Sequence, residues 1–240
     1  MKIDIYSSHK NVTSKELKNK SAVVVDVLRS STILLTAFSN GLKRFLVVDS
    51  PIDAPEYKAD LNNDRVIMGG TEDHHFITGF DAGDILEDYR PSVVNGKELI
   101  YYNADTSPAI KKGIHGRHLF LGGFLNMRAL AQTLVETGDD IAIICAGTGG
   151  NFSIEDGLAA GNIVQAIKNL KQKPNLSEYA FLLNNTYNTY KSDLLGAIKH
   201  SRTYQALAPM GLEKDIQHAL TLDEYDFVPT LYDNWITVIR

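Results

Sequence analysis

The chain has one cysteine, Cys145, in 240 residues, so no internal disulfide can form. That usage fits a reducing compartment. The opening MKIDIYSSHK alternates polar and apolar residues and has no continuous apolar run of the kind a signal peptide carries. The expected location is therefore the cytoplasm. No apolar stretch approaches the roughly 20 residues that a membrane helix needs, so no membrane partner is expected. Charge of one sign is also scarce: 24 Lys and Arg face 29 Asp and Glu, for a net charge of −5. No run of Lys or Arg stands out, which argues against nucleic acid as a partner. With 7 prolines and 18 glycines there is no linker rich in Pro, Gly or Ser, no internal repeat and no low-complexity tract. A single domain over residues 1–240 is the simplest reading.

What is present is apolar and periodic. Hydrophobic residues make up 44% and charged residues 22% of the chain, ordinary for a globular protein. Runs rich in β-branched residues predict strands over 2–6, 22–27, 44–48, 65–68, 98–102, 117–121 and 140–145. Several are continuous rather than alternating, as expected of strands covered on both faces. Helical patterns fall between them, over 30–40 ending at Gly41 and over 124–137 ending at Gly138, both natural helix stops. Residues 153–171 and most of 177–219 read as helix, with a break near Pro209, and the final FVPTLYDNWITVIR supplies one more strand. The fold class is α/β: a layered α/β/α arrangement with a mainly parallel or mixed central sheet and a helix-rich C-terminal third.

In such folds ligands sit beyond the carboxyl ends of the strands. After VVV (23–25) come Asp26, Arg29, Ser30, Ser31 and Thr32. A carboxylate there suits a hard cation, the guanidinium fork suits phosphate or carboxylate, and a hydroxyl-rich helix start attracts anions. A plainer reading has Ser30 or Ser31 capping the helix and Asp26 pairing with Arg29. After 65–68 comes the long GGTEDHHFITGFDAGD, in which Glu72 and Asp81 are better polar candidates than the adjacent His74 and His75. After 98–102, Thr106 or Ser107 is placed to cap a helix begun by Pro108. After 140–145, CAGTGGNFSIEDG lacks the G-K-[ST] ending of a nucleotide-binding loop. It does bring Ser153, Glu155 and Asp156 to a glycine-rich turn. Cys145 is expected to be a small buried hydrophobe, since no phosphate loop follows it. Trp235 reads as packing.

VVVDVLRSSTILLTAFSNG (23–41), MGG with GFDAG and Tyr89 (68–89), GGFLNMRALA (122–131) and CAGTGGNFSIEDGLAAGNIV (145–164) occur in an order that resembles the 2-phosphosulfolactate phosphatase family. Weaker matches cover Gly211 to Asp215 and Val228-Pro229. The resemblance implies Mg²⁺-dependent hydrolysis of a phosphate ester of a small 2-hydroxy acid, so a small phosphorylated acid is the expected partner. The matching polar positions are Asp26, Arg29, Ser31, Thr32, Asp81, Asn126, Ser153, Glu155 and Asp156. Asp26, Glu155 and Asp156 would hold the metal. Asp26 and Arg29 would carry the chemistry. Ser30, Ser31, Thr32, Asp81, Asn126 and Ser153 would bind substrate. Leu28 stands where a D-x-D phosphatase has its second acid, which favours a metal-bound water over Asp26 as nucleophile.

The chain departs from the family pattern at three places. Thr71 replaces the acid of Gly-Gly-Glu. Gly83-Asp84-Ile85-Leu86 replaces Gly-Asn-Ser-Pro. Residues 102–108, Tyr-Asn-Ala-Asp-Thr-Ser-Pro, replace Thr-Thr-Thr-Asn-Gly-Thr-Arg. The added Asp84 and Asp105 are expected to repel a highly anionic ester and to favour a less anionic one bearing a hydroxyl or amine. The alternative implied by the same changes is a non-catalytic anion-binding pseudoenzyme. Apolar helix faces in the last third are where a homodimer would form.

Overall fold

A computed structural model describes residues 1–61, 64–72, 75–170 and 172–238. Asp73 and His74 of the long loop lie outside the described residues, as does residue 171 at the end of the expected helix. The first half runs β1 (Lys2–Tyr6), α1 (Ser14–Leu17), β2 (Lys20–Val25), α2 (Ser30–Ser39), β3 (Arg44–Val47), α3 (Ala54–Leu61), β4 (Val66–Glu72) and β5 (His75–Phe76). It continues with α4 (Pro91–Val94), β6 (Glu98–Asn103), α5 (Thr106–Gly113), β7 (His118–Gly122), α6 (Met127–Thr137) and β8 (Asp140–Cys145). The last third holds α7 (Ile154–Asn169), β9 (Asn175–Leu176), α8 (Glu178–Tyr190), α9 (Leu194–Ile198), α10 (Arg202–Leu207), α11 (Glu213–Ala219), β10 (Pro229–Tyr232) and β11 (Trp235–Val238).

The described strands form one mixed sheet in the order β5-β4-β6-β3-β11-β10-β7-β2-β8-β1-β9. Two parallel blocks are joined in its middle by the C-terminal hairpin, which pairs antiparallel with β3 on one side and with β7 on the other. The final segment therefore gives two strands rather than the single one expected. Asp233 and Asn234 both take positive φ (48° and 65°) in a two-residue turn that the Tyr232–Trp235 pair closes. Asp and Asn tolerate such a turn better than most residues. The strand expected at 65–68 runs on to Glu72, because β5 folds back to pair with it. The expected helix over 177–219 is four helices, with Pro209 in a short 3-10 turn and Gly211 left-handed after it.

Both faces of the sheet are covered, which is why its central strands read as unbroken apolar runs. Val23, Val25, Ile141, Ile143 and Cys145 face a core filled from α6, α7, α8 and α9. Ala22, Val24, Ala142 and Ile144 face the opposite core, filled from α2 and α5. This is the α/β/α layering in atomic terms, and it leaves the strand ends as the places where polar side chains collect. No helix among the described residues is long and apolar enough to cross a membrane.

Helix α7 carries two of the candidate acids and packs closely on α8. The approach depends on Gly161: a Cβ there would meet the Leu183 carbonyl and lie 3.0 Å from Tyr187 Cβ. Alanine normally stabilises a helix interior by up to about 1 kcal/mol over glycine. Here the collision wins, and Gly161→Ala is expected to destabilise the protein by about 1–3 kcal/mol in urea unfolding. A stabilised variant would show that α7 and α8 are free to separate.

Candidate active site

The turn after β2 is folded by its own hydroxyls. The Asp26 backbone N–H donates to Ser31 Oγ at 2.9 Å, and Thr32 Oγ1 donates to the Val27 carbonyl at 2.8 Å. Helix α2 starts with no side-chain cap, so Ser31 and Thr32 serve the turn rather than the helix end. Asp26 is 5% exposed. Its carboxylate accepts from Thr106 Oγ1 and from the Ser30 hydroxyl, and Tyr101 donates to Ser30 Oγ at 3.0 Å. Burial holds the Tyr101 phenol well above its usual range, which keeps it protonated as a donor. The Leu28–Arg29 peptide is cis.

Glu155 and Asp156 enter from the first turn of α7, where Ser153 is the N-cap and its Oγ accepts from the Asp156 N–H at 3.4 Å. Asp156 accepts from the Val27 N–H at 2.8 Å and from the Gly147 N–H at 3.0 Å, tying the ends of β2 and β8 to the helix. Glu155 is 1% exposed, and its Oε2 has no hydrogen-bond partner among the described residues. Desolvation pushes Asp26 up to about 7, despite the hydroxyls that favour its charged form, and the neighbouring Asp105 and Glu155 charges add to the rise. Burial also raises Asp156 well above the carboxylate range, with Asp26 and Glu155 as the repelling charges.

Arg29 does not pair with Asp26. Its Nη2 binds Asp84, which Thr71 Oγ1 holds from the other side at 2.9 Å. The guanidinium is buried, yet Nε and Nη1 have no partner among the described residues. Buried unpartnered donors on a cation are costly and rare, and they offer a two-pronged seat for an oxyanion.

The 102–108 run also differs from its expected role. Neither Thr106 nor Ser107 caps α5. The Thr106 and Asp105 N–H groups both bond to Asn103 Oδ1 at 3.0 Å, and Ser107 Oγ accepts from the Asn103 N–H at 3.1 Å. This frees the Thr106 hydroxyl for Asp26 and the Asp105 carboxylate for the loop after β8. There Oδ2 accepts from the Gly149 N–H at 2.8 Å and Oδ1 from the Gly150 N–H at 3.0 Å.

The structure thus brings together Asp26, Arg29, Ser30, Ser31, Thr32, Ser153, Glu155 and Asp156. Asp81 stands apart: its carboxylate is partly exposed and binds Lys58 Nζ at 3.0 Å and the Met68 N–H at 2.9 Å. Asn126 is fully buried and pins loops, accepting from the Gly123 N–H and donating to the carbonyls of Leu121 and Phe227. Cys145 is buried in the core, and desolvation raises its thiol far above the range of a reactive thiolate. Tyr101 and His9 were not singled out by the sequence. Tyr101 hides in an apolar strand. His9 follows the end of β1, and its Nδ1 lies 3.1 Å from the Ala146 carbonyl and 4.0 Å from Asp105 Oδ1.

For a divalent cation the donors fit in kind. Asp26, Glu155 and Asp156 are hard oxygen ligands, buried together and repelling one another, and Glu155 Oε2 is an orphaned buried acceptor. Among the described residues, no three acidic, His or Cys side chains are gathered around a common point.

Residues 6–234 match the family described as 2-phosphosulpholactate phosphatase. Proteins named probable 2-phosphosulfolactate phosphatase align over nearly their whole length. That from Caldanaerobacter subterraneus subsp. tengcongensis is 31% identical, covering 96% of this chain and 95% of the relative. That from Clostridium acetobutylicum is 33% identical, covering 95% and 97%. That from Clostridium novyi is 32% identical, covering 99% and 100%. The chain belongs to the 2-phosphosulpholactate phosphatase family.

Proposed function

We propose that the chain hydrolyses the phosphate monoester of a small 2-hydroxy acid and that the reaction depends on Mg²⁺. The observation that carries this reading is the buried set Asp26, Glu155 and Asp156 beside an Arg29 whose Nε and Nη1 are unpaired. An acidic set of this kind calls for a cation, and the adjacent guanidinium calls for an anion. Asp26, Glu155 and Asp156 would hold Mg²⁺, which when bound neutralises charge on the phosphoryl group and polarises its P–O bond. Arg29 offers Nε–H and Nη1–H to the non-bridging oxygens, while Asp84 and Thr71 fix the orientation of the guanidinium. The Thr106 and Ser30 hydroxyls donate to the Asp26 carboxylate and favour its charged form, the form in which it would ligate a cation. Burial of these groups excludes bulk water and strengthens every charge interaction in the site.

Phosphate release from phosphorylated 2-hydroxy acids and simple phosphate esters, with Mg²⁺ and with EDTA, tests the proposal. Release is expected with Mg²⁺ and not with EDTA. Asp26→Asn and Arg29→Met are each expected to lower kcat by about 10²–10³-fold, the usual cost of losing a preorganised charge. Silence across the panel from folded protein would leave an anion-binding protein in place of the enzyme.

The same carboxylates set how the metal-free protein responds to pH. A carboxyl raised in the fold makes the native state hold more protons than the unfolded chain, so its stabilising contribution is complete below the ordinary value of 3.8 and is lost as pH rises through about 7. The raised Asp156 adds to the same trend. EDTA-treated protein is therefore expected to melt at a lower temperature near pH 8.5 than near pH 5.5, with Asp26→Asn and added Mg²⁺ each narrowing the gap. Stability that rises over this window in the chelated wild type would contradict the burial of these acids.

A further inference from the structure

The Asp105 carboxylate is seated on the loop after β8. Its two oxygens each take one of two successive backbone N–H groups, Gly149 at 2.8 Å and Gly150 at 3.0 Å. Both glycines have positive φ, 61° and 75°, which turns consecutive amides to one side. Such nests bind phosphate, sulfonate or carboxylate groups. An imidazole and a lysine ammonium stand close to this one. His9 Nδ1 is 4.0 Å from Asp105 Oδ1, and Lys10 Nζ is 3.4 Å from the Gly149 carbonyl. The carbonyl of Ala146, 3.1 Å from His9 Nδ1, can only accept, so Nδ1 carries the ring proton in the neutral imidazole. A buried hydroxyl lies against the same loop: Ser8 is fully buried, its Oγ has no partner among the described residues, and its Cβ is 3.1 Å from where a Cβ on Gly147 would stand.

The nest is also in the right place. Asp105 adjoins Thr106, whose hydroxyl binds Asp26, and the Asp105 charge acts on Asp26 directly. Asp105 is half-buried while Asp26 is buried, so Asp105 is the more accessible of the two to solvent. A substrate bound with its phosphoryl group at Asp26 and Arg29 would present its remaining substituent toward this position.

We propose that Asp105 is a specificity-determining residue that fills the Gly149–Gly150 anion nest with the chain's own carboxylate. The site then accepts a phosphorylated hydroxy acid whose far substituent is neutral, a hydroxyl or a methyl group, and rejects one carrying a second strong acid such as a sulfonate. The inference rests on the phosphatase reading for its kinetic arm and not for its binding arm. A sulfonate entering the wild-type site would meet the Asp105 charge within a few ångströms and find the two amides taken. A hydroxyl there could donate to Asp105 instead.

The kinetic arm compares 2-phosphoglycerate, 2-phospholactate and 2-phosphosulfolactate, which differ in that substituent alone. Wild type is expected to favour the first two in kcat/KM by roughly tenfold or more, the size of one like-charge contact at partly screened distance. Asp105→Asn, which removes the charge at nearly constant shape, is expected to shift the ratio toward the sulfonate ester by a similar factor, chiefly through KM. Asp105→Glu keeps the charge and is expected to keep the wild-type preference, which guards against a variant that merely folds badly. The binding arm follows thermal melting with methanesulfonate, which is expected to stabilise Asp105→Asn and not wild type. A wild-type preference for the sulfonate ester, or an unchanged ratio in Asp105→Asn, would overturn the proposal. If wild type hydrolyses none of the esters, the phosphatase reading fails and the binding arm decides alone: sulfonate stabilisation confined to Asp105→Asn supports the nest, and equal response of both proteins overturns it.

Discussion

The Asp156 carboxylate is the joint on which the candidate site depends. It accepts one N–H from the turn after β2 and one from the loop after β8, while its own backbone sits in the first turn of α7. The turn after β2, 129 residues away in sequence, and the adjoining loop after β8 are fixed to α7 at once. The arrangement also forces Asp26 and Glu155 into each other's field, away from water. Burial raises the Asp26 and Asp156 carboxyls, and holding either one charged in this fold is a cost to stability.

The charge pattern around this joint is rearranged rather than lost. The family pattern has an acid where this chain has Thr71, and a neutral residue where it has Asp84. Here the acid at 84 pairs with Arg29, and Thr71 donates to that acid at 2.9 Å. The carboxylate that faces the guanidinium in this chain comes from the loop after β5. Asp105 is different. It was expected to repel an anionic ester, and the structure gives it a partner, the Gly149 and Gly150 amides, that an anion would otherwise use. Both added acids thus have specific ligands within the chain.

Much of this was legible in the sequence. The continuous VVV and DIAIIC runs mark doubly covered strands, and Gly41 and Gly138 mark helix ends, at φ 95° and 67°. The Asp26–Thr32 turn and the Glu155–Asp156 pair follow strand ends, where α/β folds keep their ligands. What was not legible depends on contacts between segments distant in sequence. The C-terminal hairpin inserts into the middle of the sheet, which no local pattern in FVPTLYDNWITVIR specifies. Thr106 and Ser107 resemble helix caps because their local sequence does, but Asn103 takes that duty and releases Thr106 toward Asp26 across 80 residues of chain. Asp81 and Asn126 share the family pattern yet are engaged in local pairing and loop pinning. Sequence matching does not separate such contacts from ligand contacts.

The buried carboxylates are proposed to exchange protons for a divalent cation. Calorimetric titration of Mg²⁺ into chelator-stripped protein near neutral pH, in two buffers of different ionisation enthalpy, addresses it directly. Saturable binding is expected, with an apparent heat that differs between the buffers because Asp26 and Asp156 shed protons as the ion enters. Binding with no proton release, or no binding at all, would contradict it.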